Sequence, residues 1–367
     1  MKTIARFSAF PAGRALVGAG MAIATLSVAA TAHADDRYAA FVMDAQTNEV
    51  LHDDKAEEAR FPASLTKMMT LYMLFEAIDR NEVSLTDRMT TSRFASLQAP
   101  SKLGLKRGDQ ISVDTAIKAL VTKSANDVAV VVAEHLGGTE SRFAARMTAR
   151  ARELGMTSTR FVNASGLPDL QQRTSAKDMA MLGKALIRDF PQHYSYFKTP
   201  GMTWRSRYAR NHNGLLGRVD GMDGIKTGYT RMSGFNLTSS VERGGHRIIA
   251  VVMGGESASA RDAQMAHLIE GAFEEIAKRT GEPLAAATYV SLPVNRVSVQ
   301  FETEEGEDGG PSGAVSGGGS VTLQQNVIDR PSYTAPLKSV GGSIGGGAAG
   351  TPSYNFITPF MAYDPIY

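Results

Sequence analysis

The 367-residue chain contains no cysteine. That excludes disulfides, thiolate nucleophiles and any metal site built on cysteine. Its seven histidines show no His-Glu-x-x-His or similar ligand spacing, which argues against a zinc peptidase. His212, between two asparagines, reads as structural rather than catalytic. Neither sign of charge is in excess: 39 Lys and Arg against 37 Asp and Glu give +2. Nothing electrostatic therefore points to nucleic acid or to a polybasic lipid anchor. After the first 34 residues no apolar run approaches the roughly 20 residues a membrane helix needs. No internal repeat is present.

What is there begins with a leader. Lys2, Arg6 and Arg14 precede an apolar, small-residue stretch from Ala15 to Ala30, and Ala32-His33-Ala34 has the form of a cleavage site before Asp35. Residues 1–34 read as a secretory signal peptide. Their removal takes away three basic and no acidic residues, so the remaining charge is 36 − 37 = −1. Hydrophobic residues at 43% suit a globular domain, and about 250 residues can bury an ample core.

The chain is organised around Phe61-Pro62-Ala63-Ser64-Leu65-Thr66-Lys67. Pro62 suits the first turn of a helix, where its missing N–H is not needed. The apolar pattern from Leu65 to Phe75, free of Gly and Pro, predicts a helix to about Asp79. On it Ser64 and Lys67 lie three apart and share a face. Serine becomes a nucleophile when a neighbour takes its proton, and Lys67 can do so only when neutral. That requires burial or a nearby cation. A second Ser-x-x-Lys, Ser195 to Lys198, lies in a Pro-bounded stretch and reads as accidental. Downstream stand Ser124-Ala125-Asn126 and Lys226-Thr227-Gly228. Together with Ser-x-x-Lys these match, in order, the signature of class A β-lactamases and penicillin-binding proteins, with Ala125 where the signature has Asp.

Strands are predicted at 38–44 and 49–52, as a hairpin. Residues 80–113 read as irregular. Helices are predicted at 114–122, 126–136, 139–154 and 176–189, with Thr139 and Ser175 as N-caps. Strands follow at 222–229, 234–241 and 247–253, then a helix at 261–279. Two early and three late strands around a helical insertion give an α+β fold: a five-stranded antiparallel sheet flanked by helices, with a mostly helical subdomain and a groove holding the motifs. The catalytic domain spans 35–285 in this reading. Thirteen of the 36 glycines fall in 304–350, so 286–367 reads as a low-complexity, largely disordered tail without an amphipathic anchor.

Between about 38 and 280 the chain resembles serine-type D-alanyl-D-alanine carboxypeptidases, the low-molecular-mass penicillin-binding proteins of the β-lactamase/transpeptidase-like family. Asn163-Ala164-Ser165-Gly166-Leu167, Ala176-Lys177-Asp178, Asn211-His212-Asn213-Gly214-Leu215-Leu216 and Asp223-Gly224-Ile225 extend the likeness. The resemblance implies a periplasmic enzyme without a cofactor, acting on peptidoglycan stem peptides and acylated by β-lactams. Ser64 would attack the carbonyl between two D-alanines, Lys67 would take its proton, Ser124 would relay a proton, and Asn126 would bond substrate and Lys67. Lys226, Thr227 and Arg261 would hold the terminal carboxylate. Gly228 would leave room for the peptide, and the N–H groups of Ser64 and Tyr229 would form the oxyanion hole. Three alternatives stay open: a D,D-endopeptidase, a class A β-lactamase, and a non-turnover penicillin-sensing or wall-binding module. The β-lactamase reading lacks a glutamate between Phe161 and Ser175, where Asp169 is the one carboxylate.

Overall fold

The computed structural model describes residues 37–281. The expected signal peptide at 1–34 and tail at 286–367 lie outside the described residues. In chain order, β1 (Ala39–Asp44) and β2 (Val50–Asp54) form a hairpin, and a 3-10 turn (Ala63–Thr66) leads into α1 (Lys67–Asp79). Next come β3 (Arg88–Thr90), α2 (Arg93–Ser96) and β4 (Gln110–Ser112). Four helices follow: α3 (Val113–Thr122), α4 (Asn126–Gly137), α5 (Glu140–Glu153) and α6 (Ala176–Asp189). α7 (Pro191–Tyr194) precedes the hairpin β5 (Gly201–Trp204) and β6 (Arg207–Arg210). The chain then runs through β7 (Met222–Thr230), β8 (Gly234–Arg243), β9 (His246–Gly255) and α8 (Ala258–Thr280).

The main sheet has the order β2-β1-β9-β8-β7 and is antiparallel throughout. Both faces of its centre are covered. Along β1, Ala39, Phe41 and Met43 point into the core shared with α1 and α3–α6, while Ala40 and Val42 point into the core under α8. β9 alternates in the same way, with Ile249, Val251 and Met253 on one side and Ile248, Ala250 and Val252 on the other. This two-residue period explains why both strands are apolar at nearly every position. Helix α1 is buried from Lys67 to Phe75 and is the central helix of the insertion, packed by α3, α4, α5 and α6. A helix apolar all round belongs inside.

The stretch 80–113 is not irregular. β3 and β4 pair as a small antiparallel sheet, Met89 opposite Ile111 with both side chains buried. Strands of three residues are too short to show a two-residue period in sequence. The β5–β6 hairpin was also unforeseen. Its turn has Arg205 in the left-handed region, at φ 55°, where a sequence reading looks for Gly or Asn. Ser195 to Lys198 forms a 3-10 turn with both of those side chains exposed, so this second Ser-x-x-Lys assembles no site.

Candidate active site

The groove is built where the start of α1, the start of α4, the loop 163–167 and the edge strand β7 meet. Ser64 lies in the 3-10 turn just after Ala63, which has φ 47°. Ser124, ahead of α4, has φ 57°. A non-glycine residue in the left-handed region stores strain, and such residues cluster at working sites. Two glycines make the Ser64 turn fit. A Cβ on Gly166 would lie 1.8 Å from the Ala63 carbonyl oxygen, and one on Gly228 would lie 3.0 Å from the Ser64 nitrogen. The loop and β7 thus press on the backbone at Ala63 and Ser64 from separate parts of the chain.

Lys67, the first residue of α1, is fully buried and hydrogen-bonded three ways. Nζ lies 3.0 Å from Ser64 Oγ, 2.7 Å from Asn126 Oδ1 and 2.5 Å from the Ser165 carbonyl oxygen. Burial holds its pKa well below the ordinary lysine value, Lys226 pushes it further down, and Asp127 and Glu140 pull the other way. Asn126 is oriented by its amide N–H, which donates to Ala99 O at 2.9 Å, and by its backbone N–H, which donates to Ser101 O at 2.7 Å. The Ser124 hydroxyl is buried and finds no hydrogen-bond partner among the described residues. A buried unpaired hydroxyl costs about 1–3 kcal/mol, a cost tolerated where the group serves an incoming substrate. Ala125, where the signature has Asp, is buried in the apolar core.

Lys226 is also buried, and its ammonium donates to its neighbour's carbonyl, Thr227 O, at 2.8 Å. Burial and then Arg261 depress its pKa to about 7. Arg261 lies in the first turn of α8, buried, with Nε on Asp262 at 2.8 Å and Nη1 on Asn236 O at 2.9 Å. Two of its five N–H bonds are thereby committed. Thr227 and Gly228 follow Lys226 along β7, and Tyr229 next along is half exposed, its ring stacked on Phe235 at 4.1 Å. His212 borders the same cations. Desolvation, then Lys226, Lys123, Lys67 and Arg261, lower it to about 4, so it is neutral at pH 7. A small, water-sized depression of about 10 Å³ lies beside the Ser64 turn, between Pro62, Gly166, Leu167, Asp169, Thr230 and Met232.

Ser64, Lys67 and Asn126 are joined by hydrogen bonds, Gly228 packs against the Ser64 turn, and Lys67, Lys226 and Arg261 lie within reach of one another's charge, with Ser124, Thr227 and Tyr229 next to them along the chain. Several supporting groups were not foreseen. Asn236 on β8 is fully buried and donates to the carbonyls of Phe61 (3.0 Å) and Pro62 (3.2 Å), while its Oδ1 accepts from Gly254 N–H at 2.9 Å. It ties the Ser64 turn to the sheet. Asp127 accepts from the N–H groups of Leu103, Gly104 and Leu105 and so holds the loop ahead of β4 over the start of α4. The Ser165 carbonyl carries no residue-type signal at all. Asn163-Ala164-Ser165-Gly166 could have been flagged only by likeness.

The sequence pattern of peptidase family S11, D-alanyl-D-alanine carboxypeptidase, matches residues 26–257. The chain is 34% identical over 314 residues to D-alanyl-D-alanine carboxypeptidase DacC of Escherichia coli, covering 83% of this chain and 77% of that one. It spans 59–66% of the length of several other curated relatives. Among solved structures, penicillin binding protein 5 from Haemophilus influenzae superposes with a TM-score of 0.62 at 32% identity, over 64% of this chain and 70% of that one. Penicillin-Binding Protein D2 from Listeria monocytogenes, solved with ampicillin bound, superposes with a TM-score of 0.59 at 33% identity, over 64% and 96%.

Proposed function

The chain belongs to the D-alanyl-D-alanine carboxypeptidase family, the serine-type penicillin-binding proteins of peptidoglycan, and on that premise we propose that Ser64 is its nucleophile and neutral Lys67 its base. The observation that carries this reading is the set of partners around Lys67 Nζ. Asn126 Oδ1 and the Ser165 carbonyl can only accept hydrogen bonds. A neutral amine has two N–H bonds and one lone pair. With both N–H bonds engaged by those acceptors, the lone pair is left for Ser64, the one neighbour with a proton to give. Burial and Lys226 both favour the neutral form.

In the reaction that follows, Ser64 Oγ attacks the carbonyl carbon between the two terminal D-alanines as its proton passes to Lys67. The backbone N–H groups of Ser64 and Tyr229 stabilise the oxyanion. The C–N bond breaks, and Ser124 passes a proton to the leaving D-alanine. Water then cleaves the ester. Lys226, Thr227 and Arg261 hold the terminal carboxylate, and Gly228 leaves the edge of β7 open for the peptide backbone. A β-lactam offers a strained amide and a carboxylate to the same groups, so it acylates Ser64. The expected leader gives the finer placement, the periplasm, within a family that acts outside the cytoplasm. Among the described residues no helix is long and apolar enough to cross a membrane.

D-alanine release from a pentapeptide tests this reading. Wild type should release it and Ser64→Ala should not. Intact mass after brief exposure to benzylpenicillin should show one adduct, mapping to Ser64 and absent from Ser64→Ala. D-alanine release by Ser64→Ala at the wild-type rate would end the assignment.

A further inference from the structure

One of the three contacts on Lys67 is made by a loop carbonyl. A loop positions such a group only if it is itself anchored. The segment 163–166 is held from several sides. Thr70 Oγ1, one turn along α1 from Lys67, donates to Ala164 O at 2.7 Å. Asn163 Oδ1 accepts from Gly166 N–H at 2.7 Å. The Ala164 N–H donates to Glu140 Oε1 at 3.0 Å. Glu140 is the first residue of α5, behind the N-cap Thr139. Its carboxylate therefore sits where the helix dipole favours negative charge. The next carbonyl after the anchored Ala164 is that of Ser165, which receives Lys67 Nζ.

We propose that Glu140 is a positioning residue for acyl transfer, its carboxylate pinning Ala164 so that the Ser165 carbonyl meets Lys67. This rests on the reading of Lys67 as the base. The charges facing Lys67 come from three elements. Lys226 on β7 disfavours its ammonium, while Asp127 on α4 and Glu140 on α5 favour it. Burial raises the Glu140 pKa above the ordinary glutamate value, the Ala164 N–H opposes it, and of the charges facing it Glu134 on α4 raises it and Lys67 on α1 lowers it. Glu134 is itself held by Ser92 Oγ at 2.9 Å. Glu140 thus works through two separable means, a hydrogen-bond acceptor and a charge.

The two are separated by Glu140→Gln, which keeps an acceptor for Ala164 N–H and removes the charge, and by Glu140→Ala, which removes both. Thr70→Val loosens the same loop without touching any charge. Each is measured as kcat and KM for D-alanine release across pH, using the full chain. Glu140→Ala should lose about tenfold or more in kcat at pH 7 with little change in KM, and Glu140→Gln should recover most of it. In Glu140→Gln the acid limb of kcat/KM should move down by about half a pH unit or more, because Lys67 then loses its proton more readily. Thr70→Val should lower kcat and leave that limb in place. Wild-type kcat in Glu140→Ala, equal losses in Ala and Gln, or a limb that moves alike in Thr70→Val and Glu140→Gln would each overturn the proposal. Ser64→Ala in the same assay keeps the two readings apart. If it is inactive while Glu140→Ala behaves as wild type, only the role of Glu140 fails. If Ser64→Ala is active, the reading of Lys67 fails and takes this proposal with it.

Discussion

Lys67 and Lys226 stand buried beside one another's field, and among the described residues no carboxylate forms an ion pair with either. A buried unpaired ammonium is costly, so both pKa values fall. The pH dependence follows. Lys226, brought down to about 7 by burial and then Arg261, must be charged if it is to hold a carboxylate as proposed. The kcat/KM profile should fall as pH rises through about 7. In the profile of kcat that limb should lie higher, because a bound carboxylate restores the proton. Identical basic limbs in both profiles would remove Lys226 from carboxylate binding. Stability moves with the same proton. Between about 7 and the ordinary 10.5 the unfolded chain holds a proton that folded Lys226 does not, so stability rises with pH across that window. The cost of Lys226 is therefore complete below 7. Lys226→Met should raise Tm at pH 6 more than at pH 10 while abolishing D-alanine release. At this scale the sequence was informative about types and spacing, since Ser64, Lys67, Asn126 and Lys226 carry motifs. It was silent on the burial that shifts their protons, which depends on chain segments far away, and on the Ser165 carbonyl, because every residue has one.

Helices were legible where side chains cap them. Thr139 Oγ1 accepts from Arg142 N–H and Ser175 Oγ from Asp178 N–H, so two boundaries expected from sequence have a visible cause. The long strands β7, β8 and β9 were legible too, because Gly-bearing turns separate apolar runs. The two short sheets were not, as three or four residues hold little pattern. The link between β8 and the Ser64 turn was also hidden. An asparagine in a strand reads as an ordinary polar position, and only the fold shows that Asn236 bonds two carbonyls 174 and 175 residues earlier. Asn236→Ala leaves those carbonyls and the Gly254 N–H without their side-chain partner. It should lower stability by about 2–4 kcal/mol in urea denaturation, as more than one buried polar group is left unpaired. D-alanine release by the fraction still folded should also drop, because the Ser64 turn is no longer tied to the sheet. A variant that is destabilised yet fully active per folded molecule would show that Asn236 supports the sheet and not the turn.

Over the whole chain, we take the catalytic unit to end near residue 285, shortly after α8 closes at Gly281, whose φ of 72° provides a left-handed stop. A chain covering 35–300 should keep its Tm and its rate of D-alanine release, and a large fall in either would mean that residues beyond 300 support the domain. The likeness to the Escherichia coli relative, at 314 residues, is longer than the 251 residues from 35 to 285, so it passes at least one of those boundaries. The order of strands in the sheet has a consequence for how the molecule is made. β1 is flanked by β2 and β9, and Ala39 pairs with Met253, which is 253 − 39 = 214 positions later. A growing chain therefore presents its first hairpin with the β1 edge uncovered for most of its synthesis, and an apolar open edge is a template for aggregation. Only with the arrival of β9 is that edge covered, and by then β7, with Lys226, has also emerged. Closure of the sheet and completion of the groove thus come together, late in the life of the nascent chain.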